Sequence, residues 1–269
     1  MTVAGGRIAY DDTGGDGPLV MLIPGLGDRR QTYRFLAPLL EQAGYRVVTT
    51  DLRGHGESSA PWNDYTQTAV GLDVITLLKH LDAGPAVLVG NSYAGGAVIW
   101  AAAHAPAQVI GIVPLDGFVR DVPLNLFARL AVRLMAASPL AWSMYYGYAH
   151  PTAGPADLGP YRTALVTTLR EPGRRQAMAA MLLGATPEGE RWAPSVDCPA
   201  LVVIGTKDPD FPHPEEEAAL QARMLTCEVQ MIEGAGHYPH SEFPERTAEA
   251  LLPFLKQAFA AWGKRVLTS

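Results

Sequence analysis

Residues 86–104, AVLVGNSYAGGAVIWAAAH, contain the turn that decides the fold. The apolar run from Ala86 to Gly90 predicts a buried strand, and the segment from Tyr93 to His104 has helical spacing. Only Asn91 and Ser92 lie between them, so the strand must pass into the helix through a sharp turn. A strand that runs directly into a helix is typical of a β-α-β unit, which favours a parallel sheet.

The same alternation extends along the chain. Six nearly continuous apolar runs predict strands that are buried on both faces of a sheet: Leu19–Ile23, Tyr45–Thr50, Ala86–Gly90, Val109–Leu115, Ala200–Gly205 and Cys227–Ile232. Helical spacing predicts helices over Gln31–Ala43, Thr66–Leu81, Tyr93–His104, Pro214–Leu225 and about Pro244–Trp262. Strands alternating with helices predict a doubly wound, mostly parallel α/β sheet.

One long stretch interrupts this alternation. Residues 117–192 contain no convincing buried strand, and their helical runs are punctuated by glycine and proline. Because the stretch lies between two late strands, we interpret it as a mainly helical cap, with residues 1–116 and 193–269 as the core. Ligands bind at the carboxyl edge of open α/β sheets, so the cap is expected to cover a binding site there.

Composition excludes several classes of protein. The 269 residues include 21 Lys and Arg against 27 Asp and Glu, a formal net charge of −6, which argues against nucleic acid as a partner. There is no apolar run long enough to span a membrane, no signal peptide is visible, and two cysteines are too few for a disulfide framework. The expectation is a cytoplasmic protein, whose oligomeric state these residues do not predict.

Ser92 lies at the turn in a position suited to a nucleophile. Such a turn requires small residues two positions before and two positions after the nucleophile. Gly90 and Ala94 meet this requirement, although Ala94 departs from the strict G-x-S-x-G pattern. The turn would place the Ser92 hydroxyl at the positive end of the following helix. The alternative is a glycine-rich turn whose serine only caps that helix.

Four other segments follow predicted strands. The loop ending in Pro24–Gly27, PGLG, offers backbone N–H groups of the kind that stabilise an oxyanion. Residues 51–58, DLRGHGES, are expected to brace loops through a network of Asp and Arg side chains. The segment GTKDP brings Asp208 to the end of one strand, and GAGHY brings His237 to the loop after the last strand.

Together these segments resemble the α/β-hydrolase family, and the resemblance covers nearly the whole chain. The order Ser92, Asp208, His237 matches the family's order of nucleophile, acid and base. The resemblance implies an α/β-hydrolase fold with a lid at the position of the predicted cap. It also implies that Ser92 attacks an acyl carbon, that His237 is the general base, and that Asp208 orients the imidazole.

The resemblance further implies a reaction. The backbone amides of Leu26 and Tyr93 are the implied oxyanion donors, although Pro24 replaces the histidine that usually begins the first loop. Serine instead of aspartate at position 92 argues against the haloalkane dehalogenase and epoxide hydrolase branches. We expect a carboxylesterase that acts on a small-to-medium, apolar molecule without a cofactor or metal. Lactonase, C–C bond hydrolase and cofactor-free perhydrolase chemistry remain alternatives, as does a hydrolase homologue that only binds a ligand.

Other acidic residues and histidines compete for these roles. Asp116 follows an earlier strand where some family members place the acid, and Asp210 lies two residues beyond Asp208; spacing from the strand end favours Asp208. His240 lies three residues after His237 but has no acidic or cysteine partner at metal-ligand spacing. The rate is expected to rise with pH as His237 becomes neutral, near its reference pKa of about 6.5 unless the site shifts it.

Overall fold

A mostly parallel sheet forms the centre of the molecule. The computed structural model describes residues 1–121, 125–152, 154–184 and 187–268, with residues 266–268 described by their backbone alone. The strands are β1 (Thr2–Val3), β2 (Gly6–Arg7), β3 (Tyr10–Asp12), β4 (Leu19–Ile23), β5 (Arg46–Thr50), β6 (Ala86–Asn91), β7 (Val109–Leu115), β8 (Leu201–Gly205) and β9 (Glu228–Ile232). Strands β3 to β9 form one sheet in the order β3-β5-β4-β6-β7-β8-β9, in which β3 is antiparallel and the other neighbours are parallel.

Helices cover both faces of this sheet, and in the described part of the chain five more helices lie between β7 and β8. They are α1 (Leu36–Gln42), α2 (Gln67–Leu81), α3 (Ala94–His104), α4 (Leu126–Ala137), α5 (Pro139–Tyr148), α6 (Leu158–Leu169), α7 (Arg174–Gly184), α8 (Gly189–Trp192), α9 (Pro214–Leu225), α10 (Pro239–Glu242) and α11 (Pro244–Thr268), with short 3-10 helices at Arg30–Tyr33 and Ala193–Ser195. The predicted doubly wound α/β fold is confirmed.

The continuous apolar runs reflect burial on two faces. Strand β4 is buried along its whole length, as are β6, β7 and β8. Met21 of β4 packs in the cluster that contains α2 and α3, whereas its neighbours Val20 and Leu22 pack with α1 and α11. Successive side chains of a strand point to opposite faces, so a strand with helices on both faces needs an unbroken apolar run.

Three details differ from the sequence-based expectation. The predicted helix Gln31–Ala43 is instead the 3-10 helix Arg30–Tyr33 followed by α1, because the first turn closes with hydrogen bonds three residues apart, such as Arg34 N–H to Gln31 O at 3.2 Å. Strand β9 alternates between exposed and partly buried residues, since it lies at the edge of the sheet with one neighbour. Strand β3 was not predicted: two of its three residues are aspartates, and it is an exposed edge strand that pairs with β5.

The helices α4 to α8 lie between β7 and β8, and we propose residues 117–192 as a cap on the core. Residues 122–124, 153, 185 and 186 of this range lie outside the described part of the chain. Helix α4 packs against α5 and α7, helix α5 packs against α6, and α8 packs on α3 of the core.

Many apolar residues of the cap neither pack on the core nor line a cavity. Phe127, Leu130 and Leu134 of α4 are 82%, 65% and 61% exposed, and Met144 and Tyr148 of α5 are exposed as well. These side chains form an outer apolar face on α4 and α5. In the described part of the chain, no helix combines the length and apolar character needed to cross a membrane.

Candidate active site

Ser92 lies on a strained turn between β6 and α3. Its φ angle of 53° is in the left-handed region that residues other than glycine rarely adopt. Three backbone hydrogen bonds hold the turn: Ser92 N–H donates to Leu115 O at 3.0 Å, and Ser92 O accepts from the N–H groups of Gly95 and Phe118, both at 2.9 Å. The turn therefore presents the Ser92 side chain at the carboxyl edge of the sheet, at the start of α3.

Close packing around the turn explains its small residues. A Cβ atom at Gly90 would lie 2.5 Å from the carbonyl oxygen of Ala94, and a Cβ atom at Gly25 would lie 2.8 Å from Ser92 Cβ. Ala94 itself is fully buried without disturbing the turn. The departure from the strict G-x-S-x-G pattern at Ala94 thus leaves the geometry intact.

His237 and Asp208 form a buried hydrogen-bonded pair. Asp208 follows β8, His237 follows β9, and His237 Nδ1 lies 2.8 Å from Asp208 Oδ2. A carboxylate at Nδ1 holds the imidazole in the tautomer whose Nε2 is free to exchange a proton. Asn91, at the end of β6, donates from Nδ2 to the carbonyl oxygen of His237 at 3.2 Å and so ties the histidine loop to the strand before Ser92.

Asp116, the alternative acid, lies behind this pair. It follows β7 and is fully buried; its Oδ1 accepts from Gly205 N–H at 2.8 Å, and its Oδ2 has no hydrogen-bond partner among the described residues. Burial, together with the nearby charge of Asp208, raises the pKa of Asp116 well above its usual range. The geometry therefore favours Asp208 over Asp116 as the partner of His237.

Asp210 approaches His237 from the opposite side. Its Oδ2 lies 3.5 Å from His237 Nε2 and accepts a hydrogen bond from the hydroxyl of Tyr145 on α5. Burial lowers the pKa of His237, but the carboxylates of Asp208 and Asp210 outweigh it and raise that pKa to about 10. The reference value of about 6.5 is thus corrected upward. Sequence reasoning considered Asp210 only as an alternative acid, because a contact with a cap tyrosine leaves no local signal.

A cavity connects Ser92 to the cap. Its volume is about 190 Å³, below the 300–1,000 Å³ or so of pockets for drug-sized ligands. Most of its wall is apolar or aromatic: Leu26, Tyr93, Phe118, Val132, Met135, Trp142, Tyr145, Met181, Leu182 and Pro187. Its polar side chains besides Ser92 are Gln67, Arg120, Asp121 and Asp210. The cavity suits a small molecule with a mainly apolar surface.

The two predicted oxyanion donors border this cavity. Leu26 lies in the loop after β4, and Tyr93 follows Ser92 at the first turn of α3. Among the hydrogen bonds of the described residues, neither backbone N–H has an acceptor. Free amides beside a nucleophile, one at a helix N-terminus, are the groups that stabilise a developing negative charge.

Comparison with known proteins gives the family. A model of the "Alpha/beta hydrolase family" matches residues 20–250. The chain belongs to the alpha/beta hydrolase family. The hydrolase is 30% identical over 269 residues to the magnesium-chelatase 30 kDa subunit of Rhodobacter capsulatus, covering 91% of this chain and 89% of that protein.

Two further relatives are named as hydrolases. The hydrolase is 25% identical over 310 residues to epoxide hydrolase A of Mycobacterium tuberculosis, covering 93% of this chain and 94% of that one. A solved structure of a thermophilic esterase from Thermogutta terrifontis is similar with a TM-score of 0.76 and 25% identity, covering 94% of each chain. The family and these relatives support hydrolase activity.

The cap of the hydrolase holds the loop that carries Leu26. Trp142 Nε1 donates to Gly27 O at 3.0 Å. Asp28 accepts from the hydroxyl of Tyr146 at Oδ2, at 3.0 Å, and from the hydroxyl of Tyr161 at Oδ1, at 2.6 Å. Burial raises the pKa of Asp28, although the tyrosine hydrogen bonds stabilise its charged form. The position of the proposed oxyanion donor in this hydrolase therefore depends on contacts from the cap.

The segment Asp51–Ser58 braces loops, as the sequence suggested. Asp51 accepts from the backbone N–H groups of Arg30, at 2.7 Å, and Glu57, at 2.8 Å, and pairs with the Arg30 guanidinium. His55 is buried, hydrogen-bonded to Arg53 O, and outside the cavity; burial lowers its pKa to about 4. This segment is structural in the hydrolase.

One buried group of side chains in the hydrolase has ligand types that suit a metal. Asp116, Asp208 and His237 bring such atoms within 4.8 Å of one another. The 2.8 Å contact between His237 Nδ1 and Asp208 Oδ2 has the length of a direct hydrogen bond, which accounts for this proximity. His240 Nε2 is hydrogen-bonded to Thr32 Oγ1 at 2.9 Å, outside the group. The absence of a metal requirement stays a prediction.

Proposed function

We propose that this hydrolase cleaves an ester bond of a small, mainly apolar molecule through an acyl-enzyme on Ser92. The observation that carries the proposal is the pairing of His237 with Asp208 at the same sheet edge where the strained turn presents Ser92. The similarity to an esterase supports the bond type, and the small apolar cavity supports the substrate class.

Acylation begins with attack of Ser92 Oγ on the ester carbon. The hydroxyl proton passes to His237 Nε2, a new C–O bond forms to Oγ, and the carbonyl electrons move onto the oxyanion. The backbone N–H groups of Leu26 and Tyr93 stabilise that oxyanion, each donor being worth about 10²–10³ in rate. Collapse of the intermediate breaks the bond to the alcohol, which leaves with the proton from His237.

Deacylation repeats these steps with water as the nucleophile. His237 takes a proton from water, hydroxide adds to the acyl carbon, and the bond to Ser92 Oγ breaks as the proton returns to the serine. Asp208 stabilises the imidazolium that forms in each half-reaction. The products are the carboxylic acid and the free serine. A lactone is a cyclic ester and would be opened by the same steps.

The similarity to epoxide hydrolase A favours a different bond, but the residue at position 92 argues against it. The family resemblance gives epoxide hydrolases a carboxylate nucleophile that forms an ester with the substrate. Position 92 is a serine, and Asp116, the nearby buried carboxyl, follows β7 and lies outside the residues that line the cavity. We therefore place ester hydrolysis first.

Hydrolysis of p-nitrophenyl esters of increasing acyl length tests the proposal. We expect wild-type turnover to be highest for short acyl chains such as acetate and butyrate and to fall for octanoate, because the cavity is small. Ser92→Ala, shown to be folded by circular dichroism, is the control and should not turn over any member of the series. Turnover that survives in Ser92→Ala, or a folded wild type that hydrolyses none of these esters, contradicts the proposal.

A further inference from the structure

Asp210 is a carboxylate in the wall of the cavity beside the reacting groups. Its Oδ2 accepts a hydrogen bond from the hydroxyl of Tyr145 and lies 3.5 Å from His237 Nε2. Its Oδ1 makes no hydrogen bond to any described residue, and 19% of the side chain is exposed. One acceptor atom of Asp210 is thus reachable from the space that a substrate would occupy.

Two neighbouring polar side chains of the cavity, Gln67 and Arg120, already have hydrogen-bond or ion-pair partners. Gln67 Nε2 donates to Tyr93 O and to Phe118 O, both at 2.9 Å, and Gln67 Oε1 accepts from Glu188 N–H at 2.8 Å. The Arg120 guanidinium pairs with Glu217, which lies outside the cavity lining. These groups therefore hold the wall together and do not satisfy Asp210.

Asp121 is the other carboxylate of the lining. It is exposed to solvent and has no side-chain contact with His237 or with Tyr145 among the described residues. A solvated carboxylate contributes little to discrimination, because water competes for its hydrogen bonds. Asp210, in contrast, is beside the reacting nitrogen.

The position of Asp210 conflicts with the role of His237 unless a donor intervenes. To accept the Ser92 proton, His237 Nε2 must present a lone pair, and that lone pair is repelled by the lone pairs of Asp210 Oδ2, which lies 3.5 Å away and accepts from Tyr145. An N–H or O–H group of the substrate that binds to Asp210 draws charge from the carboxylate and weakens this repulsion. Without such a donor, the carboxylate stabilises the protonated imidazole, so less of His237 is in the form that acts as a base, and esters without a donor are hydrolysed more slowly.

We propose that Asp210 is the specificity residue of the site, and that it binds an ammonium, amide N–H or hydroxyl group located on the substrate close to the scissile carbonyl. The substrate class is thus an ester of an apolar acid that carries a donor near the ester carbon. Asp210 is a positioning residue as well, since substrate binding to it frees Nε2. This inference rests on the proposed ester hydrolysis.

Three methyl esters of equal chain length test the inference: methyl hexanoate, methyl 2-hydroxyhexanoate and methyl 2-aminohexanoate. Because the substituents also activate the ester chemically, the quantity to compare is the ratio of kcat/KM for each donor ester to that for methyl hexanoate. We expect this ratio to be about 10- to 100-fold larger in the wild type than in Asp210→Asn, the size expected for a hydrogen bond to a charged group.

Asp121→Asn is the matched control, since it removes the other carboxylate of the same cavity. We expect its ratios to equal those of the wild type. Equal ratios in wild type and Asp210→Asn overturn the inference, and so does an equal loss in Asp121→Asn. Labelling of Ser92 by a fluorophosphonate is measured on every variant: wild-type protein that is labelled but shows no donor preference contradicts the inference alone, whereas unlabelled wild-type protein contradicts the proposed function.

A pH profile separates this role from a merely structural one. The titratable groups around His237 are Asp208, Asp210, Asp116, Tyr238, His150 and His240. Those around Asp210 are His237, Asp208, Tyr145 and Tyr238. A carboxylate raises the pKa of a nearby histidine, so its removal lowers that pKa. The rise of kcat/KM with pH for methyl hexanoate should therefore shift to lower pH in Asp210→Asn. An unshifted profile contradicts the contact between Asp210 and Nε2.

Discussion

The core and the cap use apolar residues in opposite ways. In the core, strands β4, β6, β7 and β8 bury every residue between two layers of helices. In the cap, α4 packs on α5 and α7 with one face and exposes Phe127, Leu130 and Leu134 on the other. An unbroken apolar run in a strand that has helices on both faces therefore indicates that its side chains are buried. An apolar stripe on a cap helix does not indicate burial.

The two regions also differ in what they bring to the site. The core places Ser92, Asp208 and His237 at strand ends, where the sheet fixes their positions. The cap supplies the surroundings: Trp142 contacts the loop after β4, and Tyr145 contacts Asp210. We infer that core variants abolish the chemistry and that cap variants tune it.

The largest expected effect is that of Ser92→Ala in the core. Removing the nucleophile of a serine triad leaves only the rate enhancement due to binding and the oxyanion donors. We expect kcat for p-nitrophenyl butyrate to fall by about 10⁴-fold or more. A loss of less than tenfold in steady-state assays would remove Ser92 from its proposed role.

The second-largest effect is expected from Asp208→Asn. We expect kcat to fall by about 10²–10⁴-fold, because the amide cannot hold His237 in the required tautomer. Asp116→Asn is the matched control behind the same histidine. Asp116 makes no hydrogen bond to His237, and burial and the Asp208 charge shift its pKa towards the uncharged form, so the amide should cost less than tenfold in kcat. A larger loss in Asp116→Asn than in Asp208→Asn would show that Asp116, after β7, is the acid and that Asp208, after β8, is not.

A stability comparison tests the difference in packing directly. Leu88 of β6 is fully buried, and Leu88→Ala should lower the free energy of unfolding by about 2–5 kcal/mol. Leu130→Ala, the same substitution on the outer face of α4, should change it by less than about 0.5 kcal/mol. Urea denaturation measures both. A large loss in Leu130→Ala would mean that this face is covered in the protein in solution.

The smallest effect is expected from the hydrogen bonds between the cap and the loop that carries Leu26, the proposed oxyanion donor. Tyr161→Phe removes a hydrogen bond from buried Asp28, so the loop should be held less firmly and kcat should fall by about tenfold with little change in KM. Tyr148→Phe, an exposed tyrosine of the same cap, is the control and should not change either constant. Equal behaviour of the two variants would show that the cap does not position the loop.

The fold was predictable because its signals are local. The buried strands begin and end within one residue of the predicted bounds, since an unbroken apolar run and the turn after it are both visible in the chain. Strand β3 has no such signal: Tyr10–Asp12 is short and polar, and it is a strand only because β5 offers a free edge.

The site was predictable to the extent that strand ends determine it. Parallel strands place their carboxyl ends at one edge, which brings the loops of Ser92, Asp208 and His237 together. The assignment of their catalytic roles stays a prediction. The contact of Asp210 with Tyr145 spans 65 residues of chain and that of Asp28 with Tyr161 spans 133, so both depend on how the cap packs. No residue pattern in the sequence encodes such contacts.

Intact-protein mass spectrometry after exposure to a fluorophosphonate tests the central claim, that Ser92 is an activated nucleophile. We predict one covalent adduct on the wild type and none on Ser92→Ala, with His237→Ala also unlabelled because the base that activates the hydroxyl is gone. An adduct that persists in Ser92→Ala, or folded wild-type protein that forms no adduct, would contradict the account.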